Sequence, residues 1–249
     1  GSGAGTDVRE TPNAIKALIQ DAKDKTISIV VEREEEELTF DVEVRNVPSS
    51  VKYELKENSI GYINIDIFSE TLTNQVSNAL KDLEEKGMKK LIIDLRDNSG
   101  GYLDSAETTA SLFLEKGKLI YSLEDKNKKE DYYDETEEHR TYPIVILINE
   151  KSASSAEILA AALKDSYGAV LVGEKSYGKG KVQQTIKLED GSMAKYTSAK
   201  WLRPTGECID NKGLTPDYAA SLTYETNENG EQTVIDSQLN KALEVIRAM

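Results

Sequence analysis

PIVILINEKSASSAEILAAALKDSYGAVLVGE, residues 143–174, decides how this chain folds. It opens with an unbroken apolar run that ends at Asn149. Three serines and an alanine follow, then an alanine-rich helical pattern through Asp165. A second apolar run, AVLVGE, begins at Ala169. Strands that are apolar at every position must be covered on both faces, and a helix between two of them implies a parallel crossover. The stretch therefore predicts a strand–helix–strand unit inside an α/β core. Ser154 and Glu157 at its centre form an S-x-x-E pattern, whose simplest reading is a helix cap.

The same alternation continues outward. IGYINID (60–66) reads as a strand. Residues 71–87 put Leu72, Val76, Leu80 and Leu83 on one helical face and stop at Gly87. KKLIIDLR (89–96) is another apolar strand, and residues 102–117 read as a helix. Beyond Gly180 the texture turns β-rich, with a hairpin centred on Asp190-Gly191, and SQLNKALEVIRAM closes the chain as a helix. The first part differs. Thr11-Pro12 opens a helix over NAIKALIQDAK, and two strand-like runs, TISIVVER and ELTFDVEV, flank an acidic turn. Gly1-Ser2-Gly3 reads as a cloning remnant. The expected organisation is a small segment at 1–48 and a core at 49–249.

The chain has 249 residues, 38% hydrophobic and 31% charged, with a formal net charge of −14. That charge repels nucleic-acid backbones and anionic lipid. No apolar run approaches the roughly 18 residues that span a bilayer, and no signal peptide is visible. One cysteine, Cys208, rules out an internal disulfide. One histidine, His139, lies in the charge-dense stretch 126–142, which reads as a solvated loop or insertion. A histidine-rich metal site is impossible, and a zinc–thiolate site lacks ligands.

Ligands of open α/β sheets bind beyond the carboxyl ends of the strands. Three such ends carry unusual residues: RDNSGG (96–101), EKSASS (150–155) and KSYGKG (175–180). Gly173–Lys179 comes close to a phosphate-binding loop. Gly180, however, stands where that loop needs Ser or Thr, and a strand pattern follows instead of a helix. Nucleophilic catalysis is the stronger alternative. A serine needs a base, and with the lone histidine in an acidic stretch, lysine is the candidate. Burial can lower a lysine from its usual value near 10.4. Lys179 lies between Gly178 and Gly180. Gln183 could reach its ammonium if the segment winds one turn, whereas in an extended strand the two stand roughly 13 Å apart.

NEKSASSAEILAAALKD followed by GEKSYGKGKVQ resembles the core of the carboxy-terminal processing peptidases, also called tail-specific proteases. LIIDLRDNSGG, RPTGECIDNKGLTPD and DSQLNKALE match the same family in the same order, from about residue 50 to the end. The resemblance implies a serine endopeptidase with a Ser-Lys dyad on an α/β, crotonase-like (ClpP/crotonase-type) core with a β-rich C-terminal part. It needs no metal or cofactor. Carried onto this sequence, Ser154 is the nucleophile, Lys179 the general base and Gln183 its positioning partner. The amides of Gly100 and Ser155 form the oxyanion hole. Asp165 matches an acidic position of the family and reads as structural. Ser152 and Ser155 read as small packing residues.

Family members carry a complete PDZ domain, which captures a substrate's carboxy-terminus. Here residues 1–48 resemble only the later part of one, a partial PDZ-like segment whose carboxylate-binding loop would lie before residue 1. The resemblance implies intact chemistry with substrate capture lost. It implies protein or peptide substrates that are unfolded or C-terminally tagged, and it leaves room for a regulatory or adaptor protein and a homo-oligomer. It implies an extracytoplasmic location, in the bacterial periplasm or outside the cell envelope, with a signal or membrane anchor ahead of this chain. The competing reading is a catalytically silent peptide-binding scaffold or chaperone on the same fold.

Overall fold

The structure, a computed structural model, describes residues 26–33, 36–43, 49–187 and 193–249. The chain divides into two units, Gly1–Ser49 and Ser50–Met249. In the first, β1 (Thr26–Arg33) and β2 (Glu36–Glu43) pair antiparallel, from Thr26 opposite Glu43 to Arg33 opposite Glu36. The expected helix over NAIKALIQDAK and the acidic turn at residues 34–35 lie outside the described residues.

The second unit begins with β3 (Val51–Lys56) and β4 (Ile60–Ile65), followed by α1 (Leu72–Glu85) and β5 (Lys90–Asp94). Next come α2 (Leu103–Ala110), β6 (Leu119–Glu124), β7 (Lys129–Tyr133) and β8 (Ile144–Ile148). After β8, α3 (Ser155–Ala162) runs into a π-helical turn over Leu163–Tyr167, and β9 (Val170–Gly173) completes the predicted strand–helix–strand unit. The chain continues through β10 (Lys181–Lys187), β11 (Met193–Leu202), β12 (Tyr218–Ala219), β13 (Thr223–Thr226) and β14 (Gln232–Ile235). It ends in α4 (Ser237–Ala248).

Six strands form one sheet in the order β12-β9-β8-β5-β4-β3, parallel except at β3. The two-sided apolar pattern is satisfied as its physics requires. Leu91, Ile93, Ile144, Ile146 and Ile148 point into a core closed by α1, α2 and α3. Ile92, Val145 and Leu147 point the other way, under Ala242, Val245 and Ile246 of α4. α3 is buried all round, which its alanines permit. On α1 the buried residues are Leu72, Val76, Ala79, Leu80 and Leu83, the predicted face with one addition.

Two expectations change. The helix read over 102–117 ends at Ala110, and the chain goes on through turns in which Leu112, Phe113 and Leu114 are all buried. The charge-dense stretch 126–142 is not all loop. β7 pairs antiparallel with β6, extending a second sheet of order β10-β11-β6-β7. In β7 only Tyr132 is partly buried, stacked on Tyr121 with ring centroids 4.5 Å apart, so the strand leaves almost no apolar signal. His139 is exposed.

Candidate active site

The sheet register brings three loops to one edge. Asp94 lies opposite Leu147, and Ile148 lies opposite Gly173, so β5, β8 and β9 end side by side. The chain leaves them through the three glycine- and serine-rich stretches. Hydrogen bonds knit these together. Asn149 Oδ1 accepts from the Asp97 amide at 2.9 Å, and Asn98 carbonyl from the Ala153 amide at 3.0 Å. Ser152 carbonyl accepts from the Tyr177 amide at 3.0 Å. Ser152 is fully buried and donates its hydroxyl to the Leu95 carbonyl at 2.8 Å, a tie between β8 and β5. The Asn149 amide, then the Lys151 ammonium, outweigh burial and hold the Asp97 carboxyl below its usual range.

Ser154 sits where β8 turns sharply into α3, at φ 56° and ψ −120°, a strained backbone for any residue with a side chain. Such strain at a strand-to-helix turn aims a side chain outward, and Ser154 is partly exposed. The Ser154 amide donates to Glu157 Oε2 at 3.0 Å, the glutamate half of the expected capping box. Glu157 does more than cap. Its Oε2 also accepts from the Lys179 amide at 2.9 Å, and its Oε1 from the Gly178 amide at 2.7 Å and the Ser176 hydroxyl at 2.5 Å. The near-phosphate loop thus turns its Gly178 and Lys179 amides toward a carboxylate, and β10, a strand, follows it.

Lys179 is pinned by its backbone. Its carbonyl accepts from the indole of buried Trp201 at 2.9 Å, while its side chain is exposed. Gly178, at φ 87°, could not carry a side chain, since a Cβ there would lie 2.8 Å from the Gly213 amide nitrogen. Gln183 lies on β10 opposite Thr197, just past a register shift at Val182. The winding turn does not form at 181–183, and the Gln183 side chain lies outside those described. One cleft of about 280 Å³ contains both Ser154 and Lys179, with an apolar wall of Leu103, Ile158, Val182 and Trp201.

Gly100 differs from expectation. Its amide donates to the buried Asn98 Oδ1 at 2.8 Å. Gly101 is the glycine with a free donor. The Phe68 amide bonds the Gly100 carbonyl and the Tyr102 amide bonds the Phe68 carbonyl, so Gly101 faces away from Phe68. With the flanking peptides trans, the Gly101 N–H and C=O are each directed opposite to those two bonds, away from Phe68. The Gly101 carbonyl accepts from Ser155 Oγ at 3.1 Å. Among the described residues neither the Gly101 nor the Ser155 amide has an acceptor. Both residues line the cleft beside Ser154.

The sequence reading passed over Asn98, Trp201 and the further bonds of Glu157, and it took in Gly101 only as half of a glycine pair. Only Glu157 carried a local signal, the S-x-x-E spacing. Asp165 pairs bidentately with Arg203, at 2.7 and 2.8 Å. Among the described residues no group of three His, Cys, Asp or Glu side chains is arranged to hold a metal ion. No helix there is long and apolar enough to cross a membrane.

The sequence model of peptidase family S41 matches residues 59–220, which include all three loops and the cleft. The chain belongs to peptidase family S41. Its relatives agree with that S41 assignment. The carboxy-terminal processing protease CtpA of Bacillus subtilis (strain 168) is 42% identical over 79% of the chain. A protein of Staphylococcus aureus (strain bovine RF122 / ET3-1) that bears the name "Probable CtpA-like serine protease" is 36% identical over 82%. The chain spans 46% and 42% of these two proteins, less than half of each. Among solved structures, the photosystem II D1 C-terminal processing protease superposes with a TM-score of 0.65 at 25% identity, covering 80% of this chain and 56% of that one. The mixed α/β architecture is thus that of an S41 peptidase.

Proposed function

We propose that the chain is the catalytic part of a serine endopeptidase of the carboxy-terminal processing type. The observation that carries this reading is the single cleft that holds Ser154 and Lys179 beside two unpaired amides. Ser154 Oγ attacks a peptide carbonyl as its proton passes to Lys179 Nζ. The tetrahedral oxyanion is held by the amides of Gly101 and Ser155, with Gly101 replacing Gly100 as donor, and the N-terminal end of α3 favours the same charge. Lys179 returns the proton to the departing amine, leaving an ester on Ser154. Water then hydrolyses the ester, with Lys179 taking a proton from the water and passing it to the departing Ser154 Oγ.

Gln183 as the partner of Lys179 rests on the family resemblance alone, since β10 begins at Lys181 and the winding turn that would bring the two together does not form. The substrates are unfolded or C-terminally tagged proteins, in keeping with the processing proteases it resembles. The crotonase-like description rests on the family resemblance. The PDZ-like reading of residues 1–48 and the extracytoplasmic location rest on the family resemblance.

The test is cleavage of casein, an unfolded protein, together with fluorophosphonate labelling. Parent chain should cleave and label. Ser154→Ala should do neither, and Lys179→Ala should lose both by at least about 1,000-fold. Cleavage that survives in either variant would reject the dyad.

A further inference from the structure

We propose that Glu157 is the positioning residue of this site, holding the backbone of the base beside the backbone of the nucleophile. The inference rests on the Ser154–Lys179 reading and extends it to a residue outside the dyad. Glu157 is 1% exposed. No basic side chain pairs with it among the described residues. A carboxylate so deeply buried is tolerated only when hydrogen bonds replace its lost water. Glu157 has four. Oε2 alone bridges the amides of Ser154 and Lys179, at 3.0 and 2.9 Å. Oε1 takes Gly178 and Ser176 at 2.7 and 2.5 Å. A helix cap needs only the first of these bonds. The other three reach a loop 19 to 22 residues further along the chain.

All four partners are donors. Three are amides, and the Ser176 hydroxyl donates to Oε1 while its oxygen accepts from the Leu214 amide at 2.7 Å. An ionised carboxylate satisfies this arrangement. A glutamine of the same shape offers one oxygen, and its NH2 must face at least one amide N–H. The Lys179 peptide is fixed at one end by Glu157 and at the other by Trp201. Releasing the Glu157 end lets the lysine swing on its long side chain. A general base must stand within hydrogen-bond reach of its proton.

Glu157→Gln keeps the shape and removes the charge. Parent, Glu157→Gln, Ser154→Ala and Lys179→Ala are compared by the rate of fluorophosphonate labelling of Ser154 and by kcat and KM on an internally quenched peptide of casein sequence. Glu157→Gln should bind that peptide with KM unchanged while kcat and labelling fall about 100-fold, the usual cost of a misplacement near 1 Å. Its rate should also keep climbing with pH, as hydroxide replaces the displaced lysine. A purely structural role would lower thermal stability but leave kcat, labelling and the pH profile of the folded protein as in the parent, and that result overturns the inference. Ser176→Ala is the second variant should Glu157→Gln fail to fold. It removes one donor from the same carboxylate and should lower kcat several-fold at constant KM, and an unchanged kcat again overturns the inference. Lys179→Ala that labels like the parent rejects the dyad itself. Lys179→Ala that is inactive beside a parent-like Glu157→Gln rejects only the role of Glu157.

Discussion

At the scale of single residues, the site is built by close approach. Gly100 has φ 97°, and a Cβ added there would lie 2.8 Å from the Ala153 carbonyl oxygen and 2.9 Å from Ser154 Cβ. Both the backbone conformation and the space exclude a side chain. Gly100→Ala should push Ser154 off its position and cost about 1–3 kcal/mol of stability from strain alone. Fluorophosphonate labelling should fall at least tenfold in protein that is still folded by circular dichroism. Labelling at the parental rate would mean that the turn adapts without moving Ser154. This scale also marks the limit of what the sequence discloses. Ser154 and Lys179 stand out because small residues and glycines crowd around them. Which of the two glycine amides is left without an acceptor could not be read from GG, since it turns on the Asn98 side chain, whose Oδ1 takes the Gly100 amide. Glu157 was legible as a cap because Ser154 is three residues away. Its bonds to Ser176, Gly178 and Lys179 depend on how β9 returns beside β8, which spacing in one sequence does not report.

At the scale of elements, legibility follows burial. β5, β8 and β9 were plain in the sequence because both faces of each are covered. β7 was hidden because it buries little but one tyrosine, and α2 was overextended because three adjacent apolar residues looked like one more helical turn. The π-helical turn after α3 was also unforeseen. It contains Asp165, whose carboxylate grips Arg203 through two hydrogen bonds. Their side chains are 7% and 13% exposed, so this is a pair largely withdrawn from water. Its place is structural: it ties the end of α3 to the segment just after β11, whose Trp201 holds the Lys179 carbonyl. Removing one partner leaves the other charge buried. Arg203→Ala should therefore lose roughly 3–5 kcal/mol in urea unfolding. The double variant Asp165→Asn/Arg203→Met should recover part of that loss. Arg203→Ala that unfolds with the parent would show the pair to be dispensable.

At the scale of the whole second unit, the sheet separates two cores, and an ion cluster beside the loop that leads to Gly100 ties that loop to α4. Arg96 follows β5 on the way to Gly100. It pairs with Asp94 at 2.7 Å and, across to the start of α4, with Asp236 at 2.6 Å. Asp236 also caps α4 by accepting from the Leu239 amide at 2.9 Å. Burial pushes the Asp236 carboxyl up, but the Arg96 guanidinium, the Leu239 amide and the more distant charge of Lys56 outweigh it, and the carboxyl is held below its usual range. A carboxyl whose folded value is depressed binds its proton more readily in the unfolded chain. Its contribution is therefore complete above about 3.9, the ordinary aspartate value, and disappears as pH falls through the lower folded value. Protonation loosens α4, whose Ala242, Val245 and Ile246 cover Ile92, Val145 and Leu147 on the rear of the sheet. Asp236→Asn preserves a capping side chain and removes only the charge. In urea unfolding followed from pH 7 to pH 3, the variant should start below the parent and lose less on acidification, so that the two curves converge at the acid end. Parallel curves would assign the acid sensitivity to other carboxylates. Convergence, with fluorophosphonate labelling falling at the same pH as stability, would tie the rear helix to the loop that carries Gly100 and Gly101.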